Sequence, residues 1–216
     1  MARGLFVTGT GTEVGKTVVA ATIVRTLAGE GQRVAVFKPA VTGLDEGVET
    51  DHELLRRASG SNQTDEKIAP YRYGPPASPH LAAALAGEEI DPERLRQAAR
   101  AAAGGAEAIV CEGVGGLLVP LSPDYLVRDF AADLGYPLIV VAGPGLGTIN
   151  HTLLTVEAAS AAGLEVAAIV LTPWPENPTE IERSNRETIA SLTDVPVHTL
   201  PRIDLADPSR WPPLQI

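Results

Sequence analysis

Short apolar runs recur along this chain, separated by stretches in which apolar residues return every three or four positions. The run Gly4-Leu5-Phe6-Val7-Thr8-Gly9 is followed, from Gly15, by a segment whose Val19, Ile23 and Leu27 fall at helical spacing, which predicts strand, loop and helix. Residues 33–37, 108–111, 137–142 and 166–171 read as further strands, and 196–200 as a weaker sixth. Helical spacing covers 91–103, 126–134, 149–162 and 178–192. Strands apolar on both faces that alternate with helices predict an α/β, three-layer architecture: a mainly parallel sheet with helices on both sides. Residues 42–79 break the alternation. They are rich in Asp, Glu, Ser, Gly and Pro, with one short helical patch near 51–58, a composition that carries function more often than core. With no repeat and no linker, the expectation is a single domain over 1–216.

Composition narrows the classes. The chain has 216 residues, 44% of them hydrophobic, and a formal net charge of −10, which argues against a protein that coats nucleic acid. Its one cysteine, Cys111, cannot form an internal disulfide and reads as a buried strand residue. No apolar run reaches membrane-spanning length, and the first residues lack a signal-peptide pattern, so no membrane partner and a cytoplasmic location are expected. Only three of the 17 basic residues are lysines: Lys16, Lys38 and Lys67.

In open parallel sheets ligands bind beyond the carboxyl ends of the strands, so the residues that follow each strand carry the chemistry. After the first comes Gly9-Thr10-Gly11-Thr12-Glu13-Val14-Gly15-Lys16-Thr17, which opens directly into a helix. Glycines let backbone N–H groups face phosphates, the helix start adds positive partial charge, Lys16 can reach β/γ oxygens, and the Thr17 hydroxyl can ligate Mg²⁺. The strict P-loop pattern wants glycine where Thr10 stands; glycines at 9 and 11 bracket it, so this is a modified phosphate loop. Glu13 so close to a triphosphate is unusual: either the loop also faces a cationic group, such as an amine substrate, or Glu13 is a surface carboxylate.

Lys38 follows the second strand and precedes Pro39, a placement suited to stabilising charge during phosphoryl transfer. The third strand ends in Cys111-Glu112-Gly113-Val114-Gly115-Gly116, where a carboxylate can hold Mg²⁺ and glycines admit a nucleotide or substrate to the backbone. Asp51 heads the short helical patch and reads equally as an N-cap or as a second metal ligand. His52, His80 and His198 show no metal-ligand spacing.

Taken together with Phe37-Lys38-Pro39-Ala40-Val41-Thr42-Gly43, Leu146-Gly147-Thr148-Ile149-Asn150-His151 and Ser78-Pro79-His80, these motifs give residues 4–202 a close resemblance to the dethiobiotin synthetases. The resemblance implies a P-loop NTPase fold with a seven-stranded, largely parallel sheet, and a homodimer. It also implies an ATP- and Mg²⁺-dependent ligase that closes the ureido ring of dethiobiotin on 7,8-diaminopelargonic acid and CO₂, through a carbamate and a carbamic-phosphoric mixed anhydride. Carried over by position, Lys16, Lys38 and Thr12 serve catalysis; Thr17, Asp51 and Glu112 hold Mg²⁺; Thr12, Lys38, Thr42 and Asn150 contact the diamine substrate. Nucleotide contacts fall on Glu13, Val14, Gly15, Lys16, Thr17, Val18, Asp51, Glu112, Gly113, Val114 and Gly115, with Thr172, Pro173, Leu200, Pro201 and Arg202 around the base. Many family members carry an Asn-Asp pair after the fifth strand, where asparagine reads the adenine edge. Here the run is Leu171-Thr172-Pro173-Trp174, which implies a relaxed nucleotide preference that admits CTP and other triphosphates beside ATP.

The principal alternative is a ParA/MinD-like ATPase. Those proteins carry a signature lysine five residues before the P-loop lysine, and here that position is Gly11.

Overall fold

The computed structural model describes residues 2–46 and 49–216. In chain order its elements are β1 (Arg3–Gly9), α1 (Lys16–Gly29), β2 (Val34–Phe37), β3 (Ala40–Val41), α2 (Asp51–Ser59), α3 (Asp65–Ile68), β4 (Tyr71–Arg72), α4 (Pro79–Leu85), α5 (Pro92–Ala102), β5 (Ala108–Gly116), β6 (Pro120–Ser122), β7 (Tyr125–Leu126), α6 (Val127–Leu134), β8 (Leu138–Ala142), α7 (Thr148–Ala161), β9 (Val166–Trp174), α8 (Glu180–Leu192) and β10 (Val197–Pro201).

The central sheet has the order β10-β9-β8-β1-β5-β2, and each neighbouring pair in it is parallel. Among the described residues it has six strands, not the seven that the family resemblance implies; β3 with β4 and β6 with β7 form separate two-stranded pairs. Alternation along β1 explains the two layers of core. Phe6 faces one side and packs with Phe37, Phe130 and Leu138, while Val7 faces the other and packs with Val19, Ile23 and Val36; each is fully buried or nearly so. The first layer is covered by α4, α5 and α6, the second by α1 and α2.

Two strands run further than their apolar runs suggest. β5 continues through Glu112 to Gly116, and β9 continues through Thr172 and Pro173 to Trp174, so these positions are strand ends and not loops. Gly116 explains the first extension. It pairs with Gly9, and a Cβ on it would lie 3.2 Å from the Gly9 carbonyl oxygen, so glycine here lets the tips of β1 and β5 stay close without crowding. After β10 the chain turns back over α1: Trp211 and Leu214 are buried against the α1 layer, and the Leu214 N–H donates to Thr26 Oγ1 at 2.9 Å.

Candidate active site

The phosphate loop joins β1 to α1. Gly15 caps the helix at φ 92°, in the left-handed region that glycine adopts without strain, and a Cβ there would lie 2.8 Å from Thr172 Cγ2. At Gly9 a Cβ would meet Val14 Cγ2 at 2.7 Å and Lys16 Cγ at 2.9 Å, so both glycines are required by close approach. Lys16 Nζ donates to the Gly11 carbonyl at 2.7 Å, and burial lowers its pKa from the usual lysine value. Glu13 holds φ 59° without being glycine, and its side chain is exposed.

The second half of the site is built where β2 and β5 end beside the start of α2. Lys38 is buried; its backbone N–H donates to the Ile68 carbonyl at 2.8 Å, which fixes the turn out of β2. Its Nζ lies 2.8 Å from Glu112 Oε1 and 2.9 Å from Asp51 Oδ2, and it donates to the Gly113 carbonyl at 3.3 Å. Burial opposes the charge on Lys38, but Glu112 and Asp51 outweigh it and hold the ammonium above the usual lysine value. The same ammonium holds the Asp51 carboxyl below its usual range against desolvation. Burial pushes Glu112 upward, and Lys38 and the Thr17 hydroxyl pull it back.

Thr17 Oγ1 lies 2.9 Å from Asp51 Oδ1 and 2.8 Å from Glu112 Oε1. The two readings of Asp51 are thereby separated. Thr50 caps α2, with Glu53 Oε2 accepting from its N–H at 2.8 Å, while Asp51 is the first helical residue and turns its carboxylate to Thr17 and Lys38. Glu112 Oε2 is buried without a hydrogen-bond partner. Two carboxylates and a hydroxyl converging within hydrogen-bond distance form an oxygen donor set, and the orphaned oxygen has coordination capacity left over. Such a set fits a hard cation that completes its shell with water and phosphate oxygens, as Mg²⁺ does. Among the described residues no group of three or more His, Cys, Asp or Glu is placed to hold a metal, so the third donor of this set is the Thr17 hydroxyl.

These parts open into one cavity of about 840 Å³. It gathers Thr12, Glu13, Gly15, Lys16, Thr17, Val18, Lys38, Thr42, Asp51, Glu112, Val114 and Gly115, drawn from four separate stretches of sequence. Val14, Gly113, Asn150, Thr172, Pro173, Leu200, Pro201 and Arg202 do not line it. Thr172 and Leu200 are buried behind its wall, and Pro173, Pro201, Arg202 and Asn150 are exposed. Glu49, Pro76, Ser78 and Leu205 line the cavity without having been singled out for it by sequence motif and spacing. For Ser78 the signal was present: it caps α4 ahead of Pro79 at the first helical position. Nothing in the local pattern marks Leu205, which follows β10 in an irregular segment.

A family model described as an AAA domain matches residues 3–209. The chain is 48% identical over 192 residues to the ATP-dependent dethiobiotin synthetase BioD of Anaeromyxobacter dehalogenans, covering 88% of this chain and 86% of that one. It is 38% identical over 196 residues to the BioD of Bacillus subtilis, with 90% and 85% covered. The chain belongs to the dethiobiotin synthetase family. Membership agrees with the fold: the septum site-determining protein MinD of Pyrococcus horikoshii superposes with a TM-score of 0.56 at 19% identity, over 93% of this chain and 82% of that one. A ParA family ATPase of Chlorobium tepidum gives 0.56 at 15% identity, over 96% and 89%. At those identities the likeness to MinD and ParA is one of P-loop NTPase fold alone. Gly11, the position five residues before the phosphate-loop lysine, accepts from Lys16 through its carbonyl.

Proposed function

We propose that this protein is a nucleoside-triphosphate-dependent cyclo-ligase that closes the ureido ring of dethiobiotin from 7,8-diaminopelargonic acid and CO₂, as one domain working in the cytoplasm. One observation carries the reading: a buried ammonium, Lys38, shares a cavity with the phosphate-loop lysine and is held charged by Asp51 and Glu112. A simple switch ATPase does not require that second cation; a reaction joining two anions, a carbamate and a γ-phosphoryl group, does.

On this reading one substrate amine captures CO₂ as a carbamate, whose oxygen attacks the γ-phosphoryl group and releases the nucleoside diphosphate. The second amine then attacks the carbonyl of the mixed anhydride and expels phosphate as the ring closes. Lys16 neutralises charge on the transferring phosphoryl group, and Lys38 stands where the carbamate and the attacked phosphorus meet. Thr12 and Thr42, which both line the cavity, offer hydroxyls to the diamine. Thr17, Asp51 and Glu112 would hold Mg²⁺, which when bound neutralises the β and γ oxygens of the nucleotide. Asp51 and Glu112 keep Lys38 protonated, so it donates without acting as a base.

Asn150 lies in the first turn of α7 and is exposed, outside this chain's own cavity. We assign it to the substrate tail of a partner protomer's site in a homodimer. Leu118, Leu146 and Leu154 support that arrangement: they are 56%, 96% and 55% exposed, and Leu118 and Leu154 flank a shallow hollow floored by Gly9 and Thr10 of the phosphate loop.

Base selection is the second point. Thr172 is buried with its methyl toward Gly15, and neither it nor Pro173 carries a side-chain amide like the asparagine that the family resemblance places there. A relaxed preference follows, with ATP, CTP and GTP bound comparably.

The test is phosphate release from the purified protein with the diamine, bicarbonate and Mg²⁺, with ATP, CTP and GTP in parallel. Release that requires the diamine is expected with each triphosphate. Hydrolysis indifferent to the diamine would overturn the synthetase reading, and a hundredfold preference for ATP would overturn the relaxed base selection alone.

A further inference from the structure

The C-terminal segment packs over α1, and one side-chain hydrogen bond joins it to α2. Arg57, on α2, donates from Nη1 to the Leu205 carbonyl at 2.7 Å, across 148 residues of chain. Its other two nitrogens hold the Glu49 carboxylate as a fork, Nε to Oε1 at 2.9 Å and Nη2 to Oε2 at 2.8 Å. Glu49 and Leu205 both line the nucleotide-side cavity, together with Val18 behind the phosphate loop. Arg57 itself does not line it. Trp211 folds the segment on itself, its Nε1–H donating to the Asp204 carbonyl at 2.7 Å, and the Leu214 N–H fixes the far end to Thr26 of α1 at 2.9 Å. Arg57 therefore ties a strap anchored on α1 to the residue that leads into Asp51.

We propose that Arg57 is a positioning residue for nucleotide binding: it closes the cavity wall between Leu205 and Glu49 and cancels the charge of a carboxylate that would otherwise face the triphosphate. Glu49 stands two residues before Asp51 on the rim of a site that must take up a polyanion. An unpaired carboxylate there repels the nucleotide, whereas a bidentate guanidinium removes that charge and fixes its direction. The third nitrogen, Nη1, donates to a backbone carbonyl, a planar arrangement that a lysine ammonium cannot match while also forking a carboxylate. The effect belongs to ground-state binding, because no atom of Arg57 reaches the reacting groups.

This inference rests on the cavity binding a nucleoside triphosphate, as proposed above, and its test separates the two. The dissociation constant of a non-hydrolysable ATP analogue with Mg²⁺ reads the wall whatever reaction the site performs, and diamine-dependent phosphate release by the wild type reads the synthetase assignment. Arg57→Ala should weaken analogue binding about tenfold, raise the nucleotide KM in parallel and leave kcat at saturation within about twofold. Arg57→Lys should recover only part of the loss. Adding Glu49→Gln to Arg57→Ala should restore a several-fold share of affinity, because the repelling charge is gone. A purely structural role for Arg57 would not respond to Glu49→Gln. Unchanged analogue affinity in Arg57→Ala, or a loss that Glu49→Gln does not relieve, overturns the proposal; so does a fall in kcat and melting temperature with no separate change in affinity.

Discussion

The two ends of the cavity are built by different means. At the phosphate end, β2 and β5 deliver Lys38 and Glu112 from the ends of adjacent parallel strands, and α1 and α2 add Thr17 and Asp51, so four side chains meet with separations of 2.8–2.9 Å, beside Lys16 at the start of α1. At the base end the sheet offers Thr172 and Leu200, both buried behind the wall, and the lining passes to Leu205 in an irregular segment. The first end is rigid because buried charges have few alternatives: each must find a partner or lose its charge. The second is shaped by a strap with a few hydrogen bonds. On the proposed function, chemistry is confined to the first end, and discrimination between bases is left to the second.

The largest effect should come from breaking the rigid end. Lys38→Ala is expected to lower kcat by more than about a hundredfold, since it removes a desolvated charge aimed at the reacting groups and leaves Glu112 buried without its cation. Steady-state kinetics at saturating diamine and nucleotide measure this, and a change confined to KM would reduce Lys38 to a binding role. Glu112→Gln keeps the shape but removes a charged oxygen donor, and the Mg²⁺ concentration for half-maximal activity should rise about tenfold. Unchanged Mg²⁺ dependence would take Glu112 out of the metal shell.

The same contrast explains what could be read along the chain. A parallel sheet forces its functional residues to strand ends, so Lys38 and Glu112 stood out as charged residues after apolar runs, and the phosphate loop stood out by its glycines. Asp51 was ambiguous because a residue at the head of a helix can cap it or face away. The capping by Thr50, which frees Asp51, depends on Glu53 folding back, and Lys38 and Thr17 then draw the carboxylate inward. The β5 and β9 extensions were hidden because glycine, threonine and proline interrupt an apolar pattern without ending the backbone pairing. Leu205 and Glu49 were illegible for a further reason: they are joined only through Arg57, and no local periodicity records a contact made across 148 residues.

A gain of function would sharpen the comparison at the flexible end. Thr172→Asn places an amide at the tip of β9, where family members read adenine, and ATP should then be preferred over CTP and GTP by a few-fold to about tenfold in kcat/KM. Because Thr172 Cγ2 lies against Gly15, some loss of absolute rate is expected, and only the ratio between nucleotides decides. An unchanged ratio would mean that the base does not lie against β9.

The smallest effect isolates one ion pair by pH, measured without Mg²⁺. Lys38 holds the Asp51 carboxyl below its ordinary value of 3.8, so the pair contributes stability that is fully present above that value and disappears as pH falls through the lower, folded one. On the alkaline side Lys38, held above 10.5, keeps its contribution until pH rises through its own raised value. Buried Glu112 acts in the opposite sense in acid, because its carboxyl is pushed upward, so the wild-type curve alone mixes the two. The difference between wild type and Asp51→Asn separates them. The variant should melt about 1–3 °C lower at every pH between roughly 5 and 9, a modest loss because Asp51 is 45% exposed, and the two curves should converge once pH falls below the depressed value of the Asp51 carboxyl. A gap that widens in acid would mean that Asp51 is stabilised by its protonated form, which the 2.9 Å approach of the Lys38 ammonium does not allow.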